Sequence, residues 1–249
     1  MPTASRASEG ACGCVPDGSR TARKEGEPDA STAGGEDHLE LRLDVARYYA
    51  DKINTFGANP RGVDWNSRES QELRFEQLLR LIPAGAADFT VLDYGCGYGA
   101  LVGSLSRRYD HFRYQGFDLA DAMIERAREL HAGDRRCRFT TDPGEIEQAD
   151  YVIASGVLNV KLQHSVEEWT AYFATTLQEL ARLATRGFAF NALTSYSDRE
   201  RQRTDLYYAD PLVWFDHCKR RYSRFVTLLH DYELYEFTML VTRDTDRRQ

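Results

Sequence analysis

The chain has 249 residues, 42% of them hydrophobic and 29% charged, with a formal net charge of -7. That length suffices for one mid-sized α/β domain with a full core, so no disulfide or metal staple is needed. The acidic balance argues against a nucleic-acid partner, which usually requires a basic stripe. No run of about 18 apolar residues is present to span a membrane.

Residues 1–37 are rich in Ala, Gly, Ser, Asp, Glu and Arg and hold almost no large apolar side chain. Such a stretch buries too little surface to offset chain entropy and reads as a disordered, passive tail, a regulatory tail being the alternative. The chain start has no apolar core of the secretory kind. The five cysteines, Cys12, Cys14, Cys96, Cys137 and Cys218, form no CxxC pair and no Cys/His cluster. A metal site is therefore not expected, and the reducing cytoplasm is the expected compartment.

Order is expected from His38. Leu41, Val45, Tyr48, Tyr49 and Ile53 recur at helical spacing. A loop follows over Gly57–Asn66, carrying Asn59-Pro60 and Gly62. A second helix places Phe75, Leu78, Leu79 and Ile82 on one face and stops at Pro83 and Gly85. Residues 38–84 are taken as a helical cap over a pocket in the domain formed by residues 85–249.

Beyond Gly85 the rhythm changes to short apolar strands alternating with helices. Strands are expected over Phe89–Tyr94, Phe112–Phe117, Arg138–Thr141, Tyr151–Ala154 and Gly187–Leu193. Helices are expected up to about Arg108, over Ala120–His131, around Trp169–Leu180 and over Pro211–Arg221. Two last runs, Phe225–Asp231 and Leu234–Thr242, are separated by only Tyr232 and Glu233 and read as a hairpin. The alternation implies a mostly parallel, Rossmann-like sheet with helices on both faces and an antiparallel C-terminal edge.

The most informative segment is Val91-Leu-Asp-Tyr-Gly-Cys-Gly-Tyr-Gly-Ala100. A strand runs into Gly95, Gly97 and Gly99 and then into a helix. Glycine allows a sharp turn and close approach to a ligand, and the next helix presents unpaired N–H groups. The loose dinucleotide fingerprint is satisfied too, which leaves an NAD-dependent oxidoreductase open. Asp93, however, would repel a pyrophosphate and suits a ligand carrying an ammonium group.

This segment resembles motif I of the class I S-adenosylmethionine-dependent methyltransferases, and the likeness extends over about residues 85–242. The resemblance implies a seven-stranded sheet of order 3-2-1-4-5-7-6 and a cofactor cradle of Asp93, Tyr94, Gly95, Cys96, Gly97 and Gly99. It further implies that Asp118 takes the two ribose hydroxyls, that Leu119 binds the cofactor, that Met123 packs on the adenine, that Asp142 meets the adenine amino group, and that Ser155 faces the methyl. Ala120 stands where the family pattern has serine. Arg74 is expected to clamp the methionine carboxylate, a bidentate match.

No catalytic residue can be named. The fourth strand ends Ser155-Gly-Val-Leu-Asn159, which lacks the signature of amide and exocyclic amine methylation, a Pro-Cys nucleophile and an acidic metal triad. A small-molecule acceptor methylated on nitrogen or oxygen, in secondary or sugar metabolism, is the expectation. Asn159, Asn191, Tyr196 and Tyr208 are expected to line its pocket, with Lys161, Thr194, Tyr207 and Asp210 as further candidates. The Thr194–Asp210 loop is long and rich in tyrosine, which suits caging of an amine or a sugar ring. A non-catalytic cofactor-binding subunit is a third reading, and both monomer and homodimer stay open.

Overall fold

The computed structural model describes residues 38–243, so the tail expected over residues 1–37 lies outside the described residues. Seven strands form one sheet: β1 (Phe89–Tyr94), β2 (Phe112–Phe117), β3 (Cys137–Thr140), β4 (Ala149–Ala154), β5 (Ala184–Leu193), β6 (Phe225–Leu229) and β7 (Glu236–Thr242). Their order is β3-β2-β1-β4-β5-β7-β6, as the resemblance implied. β1 lies between β2 and β4 in parallel register, while β7 runs antiparallel between β5 and β6.

The two-residue period of the strands sorts their side chains onto two faces. In β1, Leu92 and Tyr94 enter one core, whereas Phe89 and Val91 enter the other. In β5, Phe188, Phe190 and Ala192 take the first face and Ala189 the second. Helices α5 (Val166–Leu183) and α6 (Pro211–Arg221) cover the first face. There Trp214 stacks on Phe173 at 3.9 Å, and the Trp169 indole N–H donates to the Leu158 carbonyl at 2.9 Å. Helices α2 (Arg68–Leu78), α3 (Leu101–Arg108) and α4 (Asp121–Leu130) cover the second face.

Helix α1 (Leu39–Phe56) precedes them and buries Leu41 and Ile53. A 3-10 turn at Pro60–Val63 joins it to α2. Gly62 permits the tight return, since a Cβ there would lie 2.2 Å from the Gly57 carbonyl oxygen. Asp64 closes the turn in the left-handed region, and its carboxylate accepts from the Tyr48 hydroxyl and the Lys52 ammonium, both at 2.7 Å. Ser67 and Ser70 then form a reciprocal cap that starts α2.

Two expectations need correction. The second helix stops at Leu78, and Leu79–Leu81 form a separate 3-10 turn. The C-terminal hairpin has six connecting residues, not two. Its ladder ends at Leu229 opposite Thr238, because the Leu234 N–H turns back to the Tyr232 carbonyl at 2.8 Å. The longer connection carries Glu233, Leu234 and Tyr235 over the carboxyl ends of β4 and β5.

Candidate active site

β1 ends in a loop held by its neighbours. The N–H groups of Gly95 and Cys96 both donate to the Phe117 carbonyl, at 2.7 and 2.9 Å, which pins the loop to the end of β2. Gly95 and Gly97 adopt φ of 79° and 53°, in the left-handed region. A Cβ on Gly95 would lie 2.4 Å from Val157 Cγ2, and one on Gly97 would lie 2.9 Å from Val63 Cγ1. Both positions therefore exclude side chains for space as well as for backbone angle.

Asp118 closes the loop from the next strand. Its Oδ2 accepts from the Gly97 N–H at 2.8 Å and its Oδ1 from the Ala120 N–H at 3.0 Å. Each oxygen keeps a lone pair for a further donor. Burial raises its pKa, and those backbone donors oppose the rise. Asp93 lies deeper and is 3% exposed. The Tyr114 hydroxyl donates to its Oδ2 at 2.6 Å. Burial pushes Asp93 up to about 7, with Tyr114 opposing and Asp118 adding to the shift. The Cys96 thiol is pushed up by burial as well, so it is no reactive thiolate.

These groups face a cavity of about 850 Å³, counting its open mouth. The sheet side supplies Asp93–Tyr98, Phe117–Leu119, Met123 and Ser155–Val157. The cap supplies Val45, Ala46 and Tyr49 of α1, Val63 and Trp65 of the turn, and Gln71 and Phe75 of α2. Gln71 accepts from the Tyr98 hydroxyl at 3.1 Å, which ties cap to loop. The Ser155 hydroxyl is buried without a hydrogen-bond partner among the described residues. That orphan, the two carboxylates and the glycine cradle fit a nucleoside that bears both a diol and an ammonium group.

A second, roomier cavity of about 1280 Å³ adjoins the first. Its walls include Trp65, Arg74, Asn159, Ser197, Arg203, Tyr208 and Glu236. A buried polar network forms its floor. Arg74 Nε and Nη2 donate to the Glu236 carboxylate at 2.5–3.0 Å, and Asn191 Nδ2 donates to the same carboxylate at 2.6 Å. Asn191 Oδ1 accepts from the Gly156 N–H at 2.8 Å. The Arg74 guanidinium lies 3.9 Å over the Trp65 ring. Trp65 in turn covers Gly156, where a Cβ would lie 2.4 Å from Cζ2.

The structure gathers Asp93, Tyr94, Gly95, Cys96, Gly97, Asp118, Leu119, Met123 and Ser155 around the first cavity, and Asn159 and Tyr208 around the second. Other expectations are corrected. Arg74 is committed to Glu236 and lines the second cavity, so its fork is not aimed at a methionine carboxylate. Asp142 caps the turn Pro143–Glu145 by accepting from the Gly144 N–H at 2.7 Å, off the cavity wall. Gly99 packs against His131 and Phe139 behind the loop. Asn191 is fully buried beneath the junction, and Tyr196 is 64% exposed beside His230.

Of the further candidates, Tyr207 packs against Phe173, Lys161 ties down its own loop through the His164 carbonyl, and Asp210 caps α6. Glu236 and Tyr172 were not singled out in the sequence. Glu236 had a signal, since a carboxylate at the head of the apolar run Glu236-Phe-Thr-Met-Leu-Val241 must find a buried partner. Among the described residues no cluster of three or more metal-ligating side chains occurs.

Comparison with known proteins fits this geometry. A family model described as a methyltransferase domain matches residues 91–187. A curated Mycobacterium tuberculosis (strain ATCC 25618 / H37Rv) protein named as a methyltransferase, Rv1506c, is 46% identical over 165 residues, which is 66% of this chain and 99% of that one. Magnesium protoporphyrin IX methyltransferase of Synechocystis PCC 6803 with bound S-adenosylmethionine superimposes with TM-score 0.55 at 17% identity, covering 86% of this chain and all of that one. The N-methyltransferase NodS of Bradyrhizobium japonicum WM9, holding S-adenosyl-L-homocysteine, gives TM-score 0.53 at 16% identity, with 82% of this chain and 99% of that one covered. At such identities the two structures bear on the fold alone.

The fold and the cradle define a class I S-adenosylmethionine-dependent methyltransferase, and the chain belongs to that family. It is an enzyme whose cofactor is S-adenosylmethionine and whose spent cofactor is S-adenosylhomocysteine. The oxidoreductase and non-catalytic readings are thereby set aside.

Proposed function

We propose that the chain methylates a nitrogen or oxygen of a small metabolite, in secondary or sugar metabolism. One observation carries this reading: the second cavity is a walled chamber that meets the cofactor cavity at Tyr49, Val63, Trp65 and Gly156. An acceptor seated there would approach the methyl directly, with water excluded by the cap. When bound, the cofactor supplies a methyl on sulfonium sulfur, which an acceptor lone pair takes as the carbon–sulfur bond breaks with its electrons left on sulfur.

On this reading Asp118 holds the ribose diol, Asp93 faces the ammonium group, Leu119 and Met123 flank the adenine, and Ser155 donates near the sulfonium end. Nitrogen is the preferred acceptor atom. Of the carboxylates that line the second cavity, Asp64 and Glu236 are already paired and Glu233 is exposed, and no histidine lines it. A base is needed only when the nucleophile holds its proton at neutral pH. The test is to incubate the enzyme and radiolabelled S-adenosylmethionine with a cell extract divided into low-mass filtrate, RNA and protein. Label in the filtrate supports the reading. Label confined to RNA or protein, or absent from all three, overturns it.

A further inference from the structure

Four residues line both cavities: Tyr49 of α1, Val63 and Trp65 of the following turn, and Gly156 after β4. Anything that passes from cofactor to acceptor crosses between them. Val63 and Gly156 bring no polar side chain, and the Trp65 indole is a donor only. Among their side chains, Tyr49 alone brings an oxygen that can accept a hydrogen bond.

That oxygen is uncommitted. The hydroxyl of its neighbour Tyr48 is tied to Asp64 at 2.7 Å, whereas the Tyr49 hydroxyl makes no hydrogen bond to any described residue. The two rings meet edge to face with centroids 5.2 Å apart, so Tyr48 supports the Tyr49 ring without touching its polar function. The rest of α1 is anchored independently, by Lys52 on Asp64 and by Arg42 on the Tyr94 hydroxyl at 3.2 Å. The fold gains no hydrogen bond among the described residues from the Tyr49 oxygen, yet the residue that carries it lines both chambers.

We propose that the Tyr49 hydroxyl is the hydrogen-bond acceptor at the methyl crossing point, where it takes an N–H of the incoming acceptor and turns the nitrogen lone pair toward the methyl. This assignment rests on the reading of the second cavity as the acceptor chamber. It favours a primary or secondary amine, which retains an N–H while its lone pair attacks. Burial, with the carboxylates of Asp64 and Asp118 adding, raises the phenol above its ordinary range, so Tyr49 stays protonated and orients the amine without acting as its base.

The crossing point can be probed without knowing the acceptor. Sinefungin is the cofactor analogue in which an amine-bearing carbon replaces the methylated sulfonium, so its ammonium stands where the methyl would. Titration calorimetry should show that Tyr49→Phe binds S-adenosylhomocysteine within about twofold of the parent but sinefungin about tenfold more weakly, as expected for loss of a charge-assisted hydrogen bond. The thermal midpoint should not move, since no folded-state hydrogen bond is lost. Equal retention or equal loss of the two ligands overturns the proposal. A fall in the thermal midpoint also overturns it, because the hydroxyl would then have a structural partner. Label found in RNA or protein would sink the small-metabolite reading while leaving this affinity ratio unchanged, so the two failures are separable.

Discussion

The two cavities meet at shared walls but are built by different means. The cofactor chamber is shaped by the main chain: Gly95 and Cys96 hang from the Phe117 carbonyl, and Gly97 and Ala120 grip Asp118. All of this lies within two consecutive strand ends. The second chamber, the proposed acceptor site, is shaped by side chains that find each other across the sequence. Arg74 and Glu236 are 162 residues apart, and their pair supports Trp65, Asn191 and Gly156 together. Local backbone geometry builds the first cavity, and long-range buried charge builds the second, where we propose the acceptor sits. The two halves should therefore fail separately.

The largest effect is expected at the long-range pair. Glu236→Ala strands the Arg74 guanidinium beneath the floor and should cost about 3–5 kcal/mol of stability, measured by urea denaturation. Replacing both partners with leucine should cost less than that single change, because no buried charge is then left alone. The surviving folded Glu236→Ala protein should bind S-adenosylhomocysteine within about threefold of the parent, since neither Arg74 nor Glu236 lines the cofactor cavity. A large loss of cofactor affinity would show the two chambers to be one unit.

The complementary change is Asp118→Ala. It removes the carboxylate proposed to face the diol and also frees the N–H groups of Gly97 and Ala120. Affinity for S-adenosylhomocysteine should fall by roughly 1.5–3 kcal/mol, the range for hydrogen bonds to a charged group. Unchanged affinity by calorimetry would remove Asp118 from the cofactor site.

This division also explains what could be read from the chain beforehand. Strand order, glycine loop and strand-end acid were legible because each is a short-range pattern: alternating apolar residues, left-handed glycines, a carboxylate following a strand. Arg74 was misplaced for the opposite reason. An arginine one turn from Gln71 advertises a carboxylate partner but does not say which, and Glu236 supplies it from inside the protein. Asp142 failed similarly, since an acid before Pro143-Gly144 meets its need for a donor within its own turn. The six-residue β6–β7 connection was hidden because Leu234 and Tyr235 continue the apolar rhythm of β7 while the ladder has already ended.

The most informative effect concerns Asp93. Its carboxyl titrates at about 7 in the fold, against about 4 in an unfolded chain. Between those values the folded protein holds a proton that the unfolded chain has released, so stability of the ligand-free enzyme falls as pH rises from about 4 to 7. Asp93→Asn removes this penalty and keeps an acceptor for the Tyr114 hydroxyl. Its stability advantage over the parent should be nil near pH 4 and grow steadily up to about pH 8. Cofactor binding should move the other way. An ammonium group favours the ionised carboxyl, so the parent should bind S-adenosylhomocysteine more tightly as pH rises through about 7, while the asparagine variant should bind weakly with little slope. If the variant is no more stable at high pH and the parent's affinity is flat across that interval, the Asp93 carboxylate is not strained for its ligand, and the cofactor chamber owes less to buried charge than its neighbour by one residue more.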